Sequence, residues 1–195
     1  MKKLRLIALL GILLVSTTLV GCDKDKETNT WDIIIEDITA SNEVINYNDS
    51  LVDITSQCII SESAVWDAWE AYEAWETSEI NAALSNSLYV CRNAMDEINK
   101  LGGWEGDDSL KDWVLKVIEK DIAYFEKFSE LLPFLEDANA EWELPDELAA
   151  SYEAVVADLE ALDAELEEAN SELVQIQEAF ATNHGYELQP EDEAE

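Results

Sequence analysis

Apolar residues recur at helical spacing through most of the chain, and the longest run lies near its end. Leu148, Tyr152, Val155, Leu159, Leu162, Leu166, Ala169, Leu173, Ile176 and Phe180 alternate steps of four and three. This heptad spacing places them on one face of a helix. The pattern predicts a helix over 145–184, about 60 Å long at 1.5 Å per residue. Pro145 suits the first helical position, where its missing N–H costs nothing. Asp146 and Glu147 set negative charge at the positive end of the helix dipole. Gly185 is a normal C-terminal stop. A helix with one apolar stripe cannot bury that stripe alone, so the rest of the chain must supply partners, most simply as a bundle.

Upstream, Val44, Tyr47, Leu51, Ile54 and Cys58 keep one helical face, and Val65, Trp69 and Tyr72 resume nearly the same face. Residues 42–76 therefore read as one long helix, with Ser61, Glu62 and Ser63 as its weak point, because serines cap helices as readily as they interrupt them. Trp31 to Glu36 is an isoleucine-rich run with strand propensity; its place before a helical pattern favours helix or coil packed on the bundle. A second helix follows on Ile80, Leu84, Leu88, Cys91, Met95 and Ile98. Gly102, Gly103 and Gly106 make a turn. A third helix starts near Asp107 or Asp108 and runs through Leu110, Val114, Val117, Asp121, Tyr124, Phe128 and Leu131, with Pro133 bending or ending it. Residues 139–144 form the loop into the last helix. The expected fold is all-α: an elongated antiparallel bundle of about four helices over 31–188, connected up-down-up-down, with an acidic tail at 189–195.

Composition changes this picture in one respect. The chain has 45 acidic and 11 basic side chains among 195 residues, a formal charge of −34. Such a surface repels nucleic acid and bare anionic lipid, so no nucleic-acid partner is expected. It can hold divalent cations weakly.

The first residues follow another pattern. Lys2, Lys3 and Arg5 precede an apolar stretch from Leu6 to Val15, which Ser16, Thr17 and Thr18 interrupt. The uncharged stretch is short for a membrane span, which needs about 20 residues, and it has the layout of an export signal. It ends in Leu19-Val20-Gly21-Cys22, which closely resembles the lipobox of bacterial lipoproteins. That resemblance implies a signal peptide over 1–21 and a lipidated Cys22. A polar tether over 23–30 would then link the lipid to the bundle. Two or more acyl chains would make the anchor stable.

Few residues offer chemistry. Cys58 and Cys91 both fall on apolar faces, in a compartment that would permit a disulfide. If 42–76 is one helix turning near Thr77, Cys58 lies about 29 Å from the turn and Cys91 about 20 Å. That offset exceeds disulfide reach, whose Cα limit is about 7 Å. A break at Ser61 to Ser63 would remove the conflict, so a disulfide and two buried thiols both stay open. Trp66, Trp69, Tyr72 and Trp75 recur every three residues, which leaves Trp66 and Trp75 on opposite flanks, about 180° apart. A broad core contact accounts for the series; alternatively Trp66 or Trp75 is exposed for a glycan or a protein. His184 is the only histidine. It belongs to no metal cluster or zincin motif, and the chain has neither a serine nucleophile elbow nor a phosphate-cradling glycine loop. No cofactor is expected.

Two short motifs carry a further resemblance. Tyr47-Asn48-Asp49-Ser50-Leu51-Val52 and Gln177-Glu178-Ala179-Phe180-Ala181-Thr182-Asn183-His184-Gly185-Tyr186 are similar to segments of a helical surface-lipoprotein family of unknown function, grouped around a leptospiral surface protein. The resemblance implies a lipid anchor and a helical bundle, and it transfers no catalytic residue. The expected function is that of a lipid-anchored cell-envelope protein, a non-catalytic binding or structural module for an envelope protein or glycan. Two alternatives are an envelope hydrolase pairing Asp107 or Asp108 with Glu141 or Glu143, and a weak divalent-cation binder.

Overall fold

A computed structural model describes residues 31–71, 77–137, 144–186 and 188. It is all-helical. Helix α1 spans Trp31–Glu70, α2 Ser78–Leu101, α3 Ser109–Ser129, α4 Leu132–Asp137 and α5 Asp146–Asn183. Together α3 and α4 form one bent limb, broken at Glu130 and Leu131, so the architecture is an elongated four-helix bundle. Pro133 sits in the first turn of α4, where it removes no intrahelical hydrogen bond. Among the described residues there is no strand, only an isolated bridge between Trp104 and Asp107. No helix among them is long and apolar enough to cross a membrane.

Neighbouring helices run antiparallel. Cys58 is bonded to Cys91 while Ser61 lies beside Ser87, so α1 and α2 pass in opposite directions. Across α3 and α5, Lys116 meets Glu172, Lys120 meets Glu165 and Lys127 meets Asp158. These exposed pairs each contribute little, but they show how a scarce set of cations is spent on helix–helix seams of an acidic protein.

The last helix matches its apolar stripe. Val155, Leu159, Leu166, Ala169, Leu173 and Phe180 are buried. The helix begins one residue later than the pattern suggests, since Pro145 keeps an extended ψ of 140° as the cap. At its other end Gly185 takes a φ of +74°, and the Tyr186 N–H donates to the Ala181 carbonyl at 3.0 Å. That six-to-one bond is a Schellman stop, which favours glycine at the left-handed position.

The first helix runs unbroken through Ser61, Glu62 and Ser63 and ends at Glu70. The expected weak point is thus ordinary helix. Ser61 Oγ donates to the Cys58 carbonyl at 2.7 Å, a back-bond that a helix interior tolerates. Residues 72–76, including Tyr72 and Trp75, lie outside the described residues.

The turn between α2 and α3 is a tight reversal. Trp104 and Asp107 exchange backbone hydrogen bonds at 3.0 and 2.7 Å. Glu105 and Gly106 between them both have positive φ, 48° and 89°, as a type I′ turn requires. Tyr47 of α1 holds this turn by donating its hydroxyl to the Gly102 carbonyl at 2.9 Å.

The core divides into two apolar clusters. One gathers Val44, Leu51, Ile98, Val114, Leu173 and Phe180 around the α2–α3 turn. The other gathers Val65, Ile80, Leu84, Phe125, Phe128 and Leu159 near the opposite end. On α1 the division falls between Cys58 and Val65, on α2 between Leu84 and Cys91, and on α3 between Ile118 and Tyr124. Those three gaps hold buried Ser61 and Glu62, buried Ser87, and buried Asp121. A polar layer therefore crosses the middle of the bundle.

Candidate functional site

This mid-bundle layer is the strongest concentration of chemistry among the described residues. Cys58 and Cys91 are joined by a disulfide, with Cα atoms 4.7 Å apart. The axial conflict disappears because α1 ends at Glu70 rather than near residue 76. Cys58 then lies about 18 Å from the end of α1, and Cys91 about 20 Å from the start of α2, by helical rise. Register is matched without any break in α1, which corrects the assumption that a disulfide needs one.

Glu62 follows Cys58 by one helical turn, so its side chain shares that face. Its Oε1 lies 3.0 Å from Cys58 Sγ and 3.5 Å from Cys91 Sγ. A disulfide sulfur carries no hydrogen, so any proton in these contacts belongs to the Glu62 carboxyl. Ser87 Oγ lies 4.0 Å from Cys91 Sγ and 3.4 Å from Ser61 Oγ. Asp121 on α3 completes the layer.

Glu62, Asp121, Cys58 and Cys91 are each 1% exposed. Neither oxygen of Asp121, nor Oε2 of Glu62, has a hydrogen-bond partner among the described residues. Burial holds the Glu62 carboxyl far above the ordinary carboxylate range, and the charge of Asp121 pushes it further. Burial alone raises Asp121. Ionised carboxylates here would be cut off from bulk solvent with no opposite charge beside them among the described residues, so the acid forms are favoured.

A second polar cluster sits at the end of the bundle that holds the α2–α3 turn. Gln177 donates through Nε2 to Asn48 Oδ1 at 3.2 Å, with both side chains buried. Phe180 packs on Tyr47, His184 and Tyr186 at ring-centre distances of 6.0, 4.4 and 6.4 Å. The two motifs quoted from distant parts of the sequence thus meet as one interlocked unit. His184 Nε2 lies 3.2 Å from Asp107 Oδ2. Asp107 is held below the ordinary carboxylate range chiefly by its hydrogen bonds with Ser109, with His184 adding to them.

The remaining candidates are placed as follows. Trp66 is half-buried and packs on Tyr124, Phe125 and Phe128 at 6.3, 5.8 and 5.4 Å. It packs against the core, with its indole nitrogen buried. Asp108 bonds Lys111 at 2.7 Å. Cys22, Trp75, Glu141, Glu143 and the tail at 189–195 lie outside the described residues.

The sequence pattern carries a signal for the mid-bundle site that belongs to no motif. Glu62 stands between Cys58 and Val65, and Asp121 between Val117 and Tyr124, at steps of four and three. Each is a carboxyl on an apolar stripe. Buried carboxyls of this kind are rare unless paired or engaged.

No family model, curated protein or solved structure matches this chain. The described residues form a disulfide-linked helical bundle with a polar mid-layer.

Proposed function

We propose that this is an exported cell-envelope protein, held to a membrane by lipid on Cys22 and serving as a non-catalytic binding or structural module. The observation that carries this reading is the Cys58–Cys91 disulfide. Disulfides form and persist in oxidising compartments and are rare where cytosolic reductants operate. An export signal over 1–21 would deliver the chain to such a compartment. The Leu19-Val20-Gly21-Cys22 segment accounts for retention there, and the tether at 23–30 leads directly to α1. A rigid bundle about 60 Å long would extend from the membrane and present its helix faces and turns to envelope proteins or glycans.

The test is expression of the full gene in a bacterium, with mass measurement of the mature N-terminal peptide. A diacylglyceryl-modified Cys22 at the new N-terminus is expected, and Cys22→Ser should release the protein into the soluble exported fraction. An unmodified Cys22, or cleavage at another bond, sinks the proposal.

A further inference from the structure

We propose that Cys58, Glu62 and Cys91, once their disulfide is reduced, are the protein ligands of a buried site for one thiophilic divalent cation of the zinc class, with Asp121 beside its fourth position. Four observations support this. The ligand atoms of Cys58, Glu62 and Cys91 all lie within 4.8 Å of one another. Cys58 and Glu62 project from one face of α1 and Cys91 from the facing α2, so two packed helices hold all three ligands. Asp121 is 1% exposed, has no hydrogen-bond partner for either oxygen among the described residues, and lies close enough to Glu62 to act on it electrostatically. Ser87 Oγ lies 4.0 Å from Cys91 Sγ as a hydroxyl able to support a bound thiolate, and Ser61 Oγ lies 3.4 Å behind it.

The donor set selects the metal. Two thiolates favour a soft or borderline cation, and a carboxylate with them suits tetrahedral zinc, at Zn–S distances of about 2.3 Å. Two thiolates balance the charge of a divalent cation, and the cation in turn gives the Glu62 carboxylate a countercharge in a buried layer. The sulfurs must part from bonding distance to bind, which rotation of the two cysteine side chains accomplishes.

Reduction is written with a dithiol as reductant. The dithiol gives two electrons and two protons and becomes a disulfide; the Cys58–Cys91 bond breaks and both residues become thiols. The cation then displaces both thiol protons and the proton of the Glu62 carboxyl to solvent. Oxidation of the pair removes the ligands, so the disulfide and the metal-bound form exclude each other. None of this depends on whether Cys22 is lipidated.

The experiment uses the full chain carrying Cys22→Ser, so that only Cys58 and Cys91 offer thiols. The protein is reduced with a phosphine, freed of reductant without oxygen, and titrated with Co2+. One equivalent should bind with a thiolate-to-cobalt charge-transfer band, and added Zn2+ should erase the band. The oxidised chain should show no such band, which separates the site from loose binding by surface carboxylates. Glu62→Gln should weaken Co2+ binding about tenfold or more and shift the spectrum. Asp121→Asn serves as a second variant should the first fold poorly; it should alter the spectrum while circular dichroism stays helical. A reduced wild-type chain without the band overturns the proposal. So does a band of unchanged affinity and shape in both variants.

Discussion

Glu62 Oε1 lies 3.0 Å from Cys58 Sγ, one turn away on the same buried face of α1. A carboxyl against a sulfur in the middle of a core is an energetically unfavourable placement unless the carboxyl keeps its proton or gains a cation. Asp121, buried nearby with neither oxygen hydrogen-bonded among the described residues, doubles the problem. Several measurable consequences come from this layer and its neighbours.

Stability should fall as pH rises from the acid range through neutrality. Glu62 and Asp121 have folded-state pKa values raised above their ordinary 4.5 and 3.8. The folded protein therefore binds protons that the unfolded chain has already lost. Their contribution begins to be lost above those ordinary values and continues to fall until pH passes the raised ones. Urea midpoints at about pH 5 and about pH 8 in the disulfide form should show the drop. A flat profile would mean that the carboxyls are solvated.

The same logic gives a sign for substitution. Glu62→Gln and Asp121→Asn each replace a group that resists burial as an anion by a neutral amide of similar size. Each should raise stability near neutral pH by roughly 1–3 kcal/mol, and the pair together should flatten the pH profile. Thermal melts of the oxidised variants at two pH values check this; destabilisation by either would show that its carboxylate has a favourable partner.

Reduction of the Cys58–Cys91 bond should destabilise the metal-free bundle. The crosslink spans 33 residues, for which chain-entropy arguments give about 3–4 kcal/mol. Urea unfolding with and without reductant, in the presence of a chelator, measures it. Alkylation of denatured but unreduced protein should leave Cys58 and Cys91 unlabelled.

Leu159 is fully buried in the seam between α5 and its neighbours. Leu159→Ala should cost about 2–5 kcal/mol through lost burial and a residual cavity. Leu159→Asp should cost more, because it buries a charge. Wild-type-like melting of the aspartate variant would place this stripe in solvent.

Asn48 and Gln177 form a buried amide pair across α1 and α5. Gln177→Leu should leave the Asn48 amide unpaired and cost roughly 1–3 kcal/mol. Adding Asn48→Leu should recover part of that loss, and a double-mutant cycle reads the coupling directly. Additive losses would show that the two amides do not act together.

The sequence by itself determined the helices and most of their inward faces. Apolar spacing is local information: Val155, Leu159 and Leu166 are one stripe whatever they pack against, and the three glycines after Leu101 stop a helix in any context. It also marked Asp121 as lying on an inward face, though spacing could not say what a carboxyl does there. The tertiary structure alone decided which stripe positions meet. Whether Cys58 could reach Cys91 depended on α1 ending at Glu70, a few residues earlier than periodicity suggested, and helix ends are set by packing as much as by propensity. Likewise, Glu62 looked like part of a serine-flanked weak point until α2 and α3 closed over it. The helical period reports the direction of a side chain from its own axis. Only the docking of three helices turns that direction into a sulfur, a second carboxyl and the exclusion of water.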